Sequence, residues 1–295
     1  MRKSMLLTAV LVAGMSGVQA EELTGTLKKI NDSGIITIGH RESSIPFSYL
    51  DQNQKPVGYA MDLCMKVVDS VKKKLNKPSL ITKMVPVTSQ TRIPLMVNGT
   101  IDMECGSTTN SKERQKQVAF SNSYYITSVR MVVKANSGVK SLADLNGKAV
   151  VTTTGTTSDR LIKQNEAAKN LDIKNLYGKD HAESFLMVET GRAAAFVMDD
   201  ILLASLVAES KNPKDFAIVG PVLSVEPYGI MLRKDDPQFK QIADDTLAAL
   251  FKSGEGNALY NKWFMSPIPP KSVNINLPMS DKLKDAFAHP NDVGI

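Results

Sequence analysis

Short apolar runs, each closing on a cluster of small hydroxyl and charged residues, recur along this chain. Ile35-Ile36-Thr37-Ile38-Gly39 is a compact β-prone run, and His40-Arg41-Glu42-Ser43-Ser44 follows at its C-terminal end. Ile81 to Val87 reads as another strand and leads into Thr88-Ser89-Gln90-Thr91-Arg92. The alternation of Ile101 and Met103 reads as a short strand that ends in Glu104-Cys105-Gly106-Ser107-Thr108-Thr109-Asn110, with Arg114 four residues beyond. Gly147 to Val151 runs into Thr152-Thr153-Thr154-Gly155-Thr156-Thr157-Ser158-Asp159, and Ala193 to Met198 delivers Asp199-Asp200. Helical spacing fills the intervals. Leu27 and Ile30 mark a short helix stopped near Asp32-Ser33-Gly34. Gly58-Tyr59-Ala60-Met61-Asp62 opens one that reaches about Asn76, and Ile93 to Asn98 is a short one ended by Gly99. A further helix ends near Ala168, Glu183 to Glu189 is helical up to Gly191, and Pro237 to Ser253 forms a long C-terminal helix.

Strands alternating with helices define an α/β chain. One internal echo suggests that it is built twice. Leu95-Met96-Val97-Asn98-Gly99 precedes the strand ending in Glu104, and Leu186-Met187-Val188-Glu189-Thr190-Gly191 precedes the strand ending in Asp199. The copies are short, but they favour two α/β lobes of similar build, each a mixed sheet flanked by helices. Val129 to Lys134 and Pro227 to Arg233 flank the second lobe and are the natural hinge strands between the two. Residues 21–131 with 226–295 then form lobe 1, and 132–225 form lobe 2. Pro267-Ile268-Pro269-Pro270 in the tail should be extended.

The N-terminus reads as a processing segment. Arg2 and Lys3 are followed by the apolar Leu6 to Ala13 and by the small-residue site Val18-Gln19-Ala20, with Glu21-Glu22 just after it. This is the pattern of a secretory signal peptide, residues 1–20, cleaved after Ala20. No later segment reaches the roughly 18 consecutive apolar residues of a membrane span, so an exported, periplasmic protein is expected. The chain has 36 Lys and Arg against 30 Asp and Glu. Two of the basic residues leave with the signal peptide, so the mature excess is mild. It suits a small anionic ligand, and without a basic run interleaved with aromatics it does not suggest nucleic acid. The two cysteines, Cys64 and Cys105, are too few for a disulfide scaffold. Export permits a bond between them, while the apolar neighbours of Cys64 equally suit a buried free thiol.

Hydrogen-bond donors dominate the candidate chemistry. Arg41, Ser89, Arg92, Ser107, Thr109 and Arg114 fall in loops after lobe 1 strands, where ligands of open α/β sheets bind. Thr156 and Thr157 lie at a loop-to-helix junction suited to an anion. Asp199 ends a strand and can accept from an ammonium. Each has a plainer reading. Ser158 or Asp159 would serve as an N-cap. Arg114 lies in Lys112-Glu113-Arg114-Gln115-Lys116, a pattern typical of a solvated helix face. Arg41 would form a surface ion pair with Glu42 or Glu104. His181 would be an exposed loop residue, and Asp199 and Asp200 would be helix-start acids. The sequence has no Gly-x-Ser-x-Gly, no phosphate loop and no His-Glu-x-x-His. Its three histidines, His40, His181 and His289, lack ligand spacing, so no metal and no cofactor are expected.

Taken together, these segments resemble the periplasmic glutamate/aspartate-binding proteins of ABC importers. The resemblance is carried by Gly39-His40-Arg41-Glu42-Ser43-Ser44 with Pro46-Phe47-Ser48-Tyr49, by Thr88-Ser89-Gln90 with Arg92-Ile93-Pro94-Leu95, and by Asn98-Gly99-Thr100. It continues through Glu104 to Asn110, Gly155-Thr156-Thr157-Ser158, Lys179-Asp180-His181, Met198-Asp199-Asp200, Met231 to Phe239, and Lys262-Trp263-Phe264 with Pro267-Ile268-Pro269-Pro270. One departure is Ile230, where a relative carries cysteine. The resemblance implies a two-lobed periplasmic-binding-protein fold that closes on L-glutamate or L-aspartate like a hinged trap. It further implies a monomer that delivers its cargo to an inner-membrane ABC permease. Arg114, Ser107 and Thr109, helped by Thr156 and Thr157, would hold the α-carboxylate. Asp199 would take the ammonium, and Arg41, Ser89, Arg92 and His181 the side-chain carboxylate. Two other readings compete with this carrier. One is an enzyme on the same fold, such as a dehydratase of cyclic hexadienyl acids using Glu104 or His181. The other is a sensor that presents its closed form to a receptor.

Overall fold

Two five-stranded sheets, built to the same plan, divide the chain. The computed structural model describes residues 22–295, so the signal-peptide reading of 1–20 and its cleavage site lie outside the described residues. In chain order the first part comprises α1 (Gly25–Ser33), β1 (Ile35–His40), the short strands β2 (Ser43–Ser44), β3 (Ser48–Leu50) and β4 (Pro56–Val57), and α2 (Tyr59–Leu75). It continues with β5 (Ile81–Pro86), α3 (Arg92–Val97), β6 (Met103–Cys105), α4 (Lys112–Gln115) and β7 (Val118–Phe120). The middle part comprises β8 (Tyr125–Lys134), β9 (Ala149–Thr153), α5 (Thr157–Lys169), β10 (Lys174–Gly178), α6 (His181–Glu189), β11 (Ala195–Asp199), α7 (Asp200–Glu209) and β12 (Phe216–Tyr228). The chain then returns through β13 (Met231–Arg233), α8 (Pro237–Ser253), α9 (Glu255–Phe264) and α10 (Asp281–Ala288).

The first sheet runs β5-β1-β6-β13-β7 and the second β10-β9-β11-β8-β12. In each, three parallel strands are continued by one antiparallel strand that arrives from elsewhere in the chain: β13 beside β6, and β8 beside β11. The internal echo falls on equivalent places, since α3 leads to β6 and α6 leads to β11. The two sheets thus have mixed strands flanked by helices, as expected. Ile36 and Ile38 of the central strand β1 are fully buried, as are Val150 and Val151 of β9. Strands covered by helices on both faces need such continuous apolar runs.

Helix α2 shows how local sequence sets an element. Tyr59, Leu63, Cys64, Val67, Val68 and Val71 recur at three- and four-residue spacing and form its buried stripe. Lys72, Lys73 and Lys74 sit in the last turn, where cations oppose the helix dipole, and Asn76 ends the helix in the left-handed conformation. A disulfide joins Cys64 of α2 to Cys105 of β6. The free-thiol alternative is thereby set aside: apolar neighbours bury a cystine as readily as a thiol, and only the packing of α2 across the sheet brings the two Cα atoms to 6.2 Å.

The lobes meet at β8 and β12, which pair antiparallel from Tyr125↔Tyr228 outward, with a register shift between Val219 and Ser224. Phe47 packs edge-on against both tyrosines, at 4.8 and 5.1 Å between ring centroids, and Phe264 stacks on Tyr125 at 5.2 Å. This aromatic floor belongs mostly to the first sheet's side, and the hinge strands rise from it. The strand expected over Pro227 to Arg233 is divided: β12 stops at Tyr228 and β13 starts at Met231, because the chain passes here from one sheet to the other. The hairpin strands β2 to β4, the strands β7 and β10, the full length of β12 and the helix α10 were not anticipated. The proline-rich tail segment is tied down by a bridge between Ile268 and Val273 and by Tyr49, whose hydroxyl donates to the Pro269 carbonyl at 2.7 Å. Residues beyond α10 dock behind the loop that carries Arg114. The Lys112 N–H donates to the Ile295 carbonyl, and the Asn110 side chain donates to that of Asp292, both at 2.8 Å.

The Cys64–Cys105 bond spans 41 residues, a loop whose closure is worth about 4 kcal/mol in the unfolded-state entropy model. Chemical denaturation with and without reductant should therefore show a clearly lower midpoint for the reduced protein. Coincident curves would contradict a stabilising role.

Candidate functional site

The C-terminal ends of the parallel strands point at one another across the gap between the sheets, and the loops beyond them touch. Arg114 Nη2 donates to the Gly155 carbonyl at 3.2 Å, and Arg41 Nη2 lies 3.4 Å from His181 Nε2. Gly155 has φ +80°, and a Cβ there would come within 2.7 Å of Gln90 Cα, so glycine is what lets the lobe 2 loop close on the lobe 1 backbone. The lobes are shut on each other.

Inside this closure the candidate residues are brought together. Arg41 is 1 % exposed, Arg92 2 %, Arg114 8 % and His181 1 %, and Ser89, Ser107, Thr109, Thr157 and Asp199 are also buried. Of the plainer readings only one holds: Asp199 and Asp200 do start a helix, as the N-cap and first residue of α7. The others fail. Arg114 does not face solvent: α4 is a single turn, capped by Ser111 Oγ, which accepts from the Arg114 N–H at 3.3 Å. That turn aims the side chain inward, where Nη1 also donates to the Thr109 carbonyl at 2.9 Å. Arg41 is buried and forms no surface ion pair among the described residues. His181 is not an exposed loop residue, because Asp180 caps α6 and makes His181 its first residue. The cap of α5 is Thr156, whose Oγ accepts from the Asp159 N–H, rather than Ser158 or Asp159. The Thr156 hydroxyl also donates to the Thr153 carbonyl at 2.7 Å, so it is spent within the turn.

Among the described residues, several buried polar atoms in this cluster lack protein partners: Arg41 Nε and Nη1, Arg92 Nε, Ser89 Oγ, Glu104 Oε1, Ser158 Oγ and Asp199 Oδ1. Orphaned buried donors are costly, about 1–3 kcal/mol each and more for charged groups. Arg92 Nη1 does donate to Thr108 Oγ1 at 2.5 Å, and Thr108 in turn donates to Glu104 Oε2. Ser107 Oγ donates to Ser44 Oγ at 3.3 Å. Three guanidiniums, unsatisfied hydroxyls and two half-satisfied carboxylates, Glu104 and Asp199, make a pocket chemistry for an anionic ligand that also carries a cation. A cavity of about 170 Å³ opens beside Arg41, lined by Ser43, Thr88 and Asp180 from both lobes.

A family description, bacterial extracellular solute-binding proteins, family 3, matches residues 36–266. This chain belongs to that family. It is 52% identical over 291 residues to the L-glutamate/L-aspartate-binding protein of Pseudomonas aeruginosa, covering 98% of this chain and 96% of that one. It is 49% identical to the glutamate/aspartate import solute-binding protein of Escherichia coli, over 97% of this chain and 96% of the relative. Among solved structures, a mutant of ArgBP from T. maritima superposes with a TM-score of 0.73 at 31% identity, covering 81% of this chain and 99% of that one. The fold is that of the two-lobed periplasmic amino-acid-binding proteins.

The electrostatics of this solute-binding protein follow from burying like charges together. Burial, and then the neighbouring Arg92, pull the Arg41 guanidinium down to about 10 and that of Arg114 to about 9, so both stay charged at neutral pH. Burial, and then the charge of Glu226, push the Asp199 carboxyl well above its ordinary range, although Tyr228 donates its hydroxyl to Oδ2. Burial, followed by Arg41 and Arg92, holds His181 well below the usual imidazole value. Its ring is therefore neutral. Because arginine only donates, Nε2 accepts from Arg41 Nη2 and Nδ1–H is left to donate to Thr153 Oγ1 at 3.0 Å.

Sequence reasoning missed Glu226, Tyr228, Thr108 and the hydroxyl of Ser158. Glu226 is 1 % exposed, and its Oε2 accepts from Thr109 Oγ1 at 2.6 Å and from Thr157 Oγ1 at 2.7 Å. An acid inside the strand-like Ser224-Val225-Glu226-Pro227-Tyr228, whose alternation would have pointed to β12, was the available signal.

The depressed His181 pKa has a signed consequence. A neutral buried imidazole stabilises the fold above the unfolded value of about 6.5, and this stabilisation is lost as pH falls below it. Denaturation from pH 7 to pH 5 should cost the parent protein more stability than a His181→Asn variant. Parallel pH profiles would contradict a buried, neutral His181.

Proposed function

We propose that this solute-binding protein captures L-glutamate or L-aspartate between its lobes and delivers it to an inner-membrane ABC permease. The observation that carries this reading is the set of unpartnered buried donors on Arg41, Arg92 and Ser89, opposite the half-satisfied Asp199. A dicarboxylic amino acid has two carboxylates and one ammonium to match them. In this reading Arg114, Ser107 and the backbone of Thr109, with the N-terminus of α5 at Thr156 and Thr157, hold the α-carboxylate. The first N–H groups of a helix lack intrahelical partners, so Thr157 and Ser158 contribute through their backbone. Asp199 Oδ1 accepts from the ammonium, whose charge favours the ionised carboxylate. Arg41, Arg92 and Ser89 hold the side-chain carboxylate, and His181 enters by orienting Arg41.

Identity near one half to relatives named for glutamate and aspartate supports the ligand class. The energetics agree. Burying each ion costs several kcal/mol unless it is paired, and the cluster supplies a partner for every charge of the ligand. Neutral glutamine would leave a guanidinium unpaired, a penalty of the kind that sets specificity. Residues 21–131 with 226–295 act as one lobe and 132–225 as the other, swinging on β8 and β12. The protein works as a periplasmic monomer freed from its signal peptide after Ala20, without cofactor, and as a carrier rather than an enzyme.

Calorimetry with L-glutamate, L-aspartate and L-glutamine should show tight binding of the acidic pair. Glutamine should bind on the order of a hundredfold more weakly, the scale of one unpaired buried charge. Arg114→Ala should weaken both acidic ligands together, by at least about a hundredfold. Absence of heat with either acidic amino acid would overturn the assignment.

A further inference from the structure

The hydroxyls of Thr109 and Thr157 do not point their protons at a ligand. Both donate to the same oxygen, Oε2 of Glu226, at 2.6 and 2.7 Å. Thr109 lies in the loop after β6 in the first sheet's lobe, whereas Thr157 opens α5 in the second. Glu226 itself sits on β12, two residues before the strand ends at Tyr228, at the crossing between the lobes. One buried carboxylate oxygen therefore ties the two lobes to the hinge. The groups around it belong to the binding cluster: Arg114 on α4, Asp199 at the end of β11 and Tyr228 on its own strand.

We infer that Glu226 is the closure latch of this protein, a positioning residue that holds Thr109 of one lobe and Thr157 of the other on a single carboxylate oxygen only when the cleft is shut. The inference deepens the proposed function and rests on it for the identity of the ligand. Hydrogen bonds to an ionised acceptor are stronger than neutral ones. In an open cleft the Thr157 side of the bridge is broken, and water takes its place. The latch thus lowers the free energy of the closed state and slows ligand escape. It also fixes where Thr157 begins α5, and with it the backbone donors that face the ligand. The opposite view, that the Thr157 hydroxyl contacts the ligand directly, makes a different prediction.

The decisive measurement is stopped-flow dissociation of L-glutamate from the parent, Thr157→Val, Glu226→Ala and the double variant, with thermal unfolding of each as a control for folding. Removing a hydrogen bond to a charged acceptor should speed dissociation about ten- to hundredfold in either single variant. The double variant should be no faster than Glu226→Ala alone, because both changes remove the same bridge. Effects that multiply would show that Thr157 acts on the ligand, and unchanged dissociation rates would show that the bridge does not bear on closure; either result overturns the latch. If L-glutamate and L-aspartate fail to bind the parent, the functional assignment falls first. The latch is then read from spin labels introduced through Lys73→Cys and Lys169→Cys, on exposed faces of α2 and α5. Thr157→Val should shift their separation toward the open range, and identical distance distributions overturn the latch.

Discussion

Three guanidiniums buried in one cleft set the terms for the rest of this molecule. Arg41, Arg92 and Arg114 lie where their charges repel, and Arg92 disfavours ionisation of both others. Such a cluster persists only if acids and acceptors surround it, since an uncompensated buried charge costs several kcal/mol. Glu104, Asp199 and Glu226 supply those acids from within the protein, each from a different strand. Because burial and Glu226 favour the protonated Asp199, the internal compensation is incomplete, and the remaining demand is for a bound anion.

The architecture meets this demand by keeping the cluster on rigid supports. Strand ends of two similarly built sheets carry the donors, and the strands themselves are fixed by apolar cores on both faces. The Cys64–Cys105 bond pins α2 to β6, just before the loop of Ser107 and Thr109. The residues after α10 brace the loop of Arg114 from behind. The aromatic floor of Phe47, Tyr125, Tyr228 and Phe264 anchors the hinge strands on one side only. Tyr228 links that floor to Asp199 on the other lobe through its hydroxyl. The two sheets are connected through the paired strands β8 and β12.

Much of this was legible in the sequence, and for physical reasons. Buried parallel strands require apolar runs, and ligand loops at their ends collect glycine, serine, threonine and arginine, so both signals are local. The helices α2 and α8 announce themselves by spacing and caps. Other features carry a local signal that is weak or points the wrong way, so that local pattern alone left them with two readings or none. Arg114 sits in a charged pentad whose pattern matches a solvated helix, yet a one-turn helix capped by Ser111 turns it inward. His181 follows charged residues but is carried into the interior by the Asp180 cap. The long strand β12 crosses between lobes, so its two halves serve different surroundings and show no single alternation. A lone Glu226 beside a proline gave no hint of its two threonine partners.

The sequence by itself determined the kind of object this is: an α/β chain of two repeated lobes, with cationic and hydroxyl donors at strand ends and one acid to oppose them. Those properties depend on hydrophobic period, caps and residue type, which act over a few residues. Only the tertiary structure decided how the donors are used. It placed Arg41 against His181 and Arg114 against Gly155 across the cleft, joined Cys64 to Cys105, and directed the threonine hydroxyls to Glu226. These pairings link residues many positions apart, and the hydrogen-bonding capacity of a side chain fixes how many partners it takes, not which ones. Their choice follows from the packing of helices on a sheet and of the two lobes upon each other, and no local pattern encodes that.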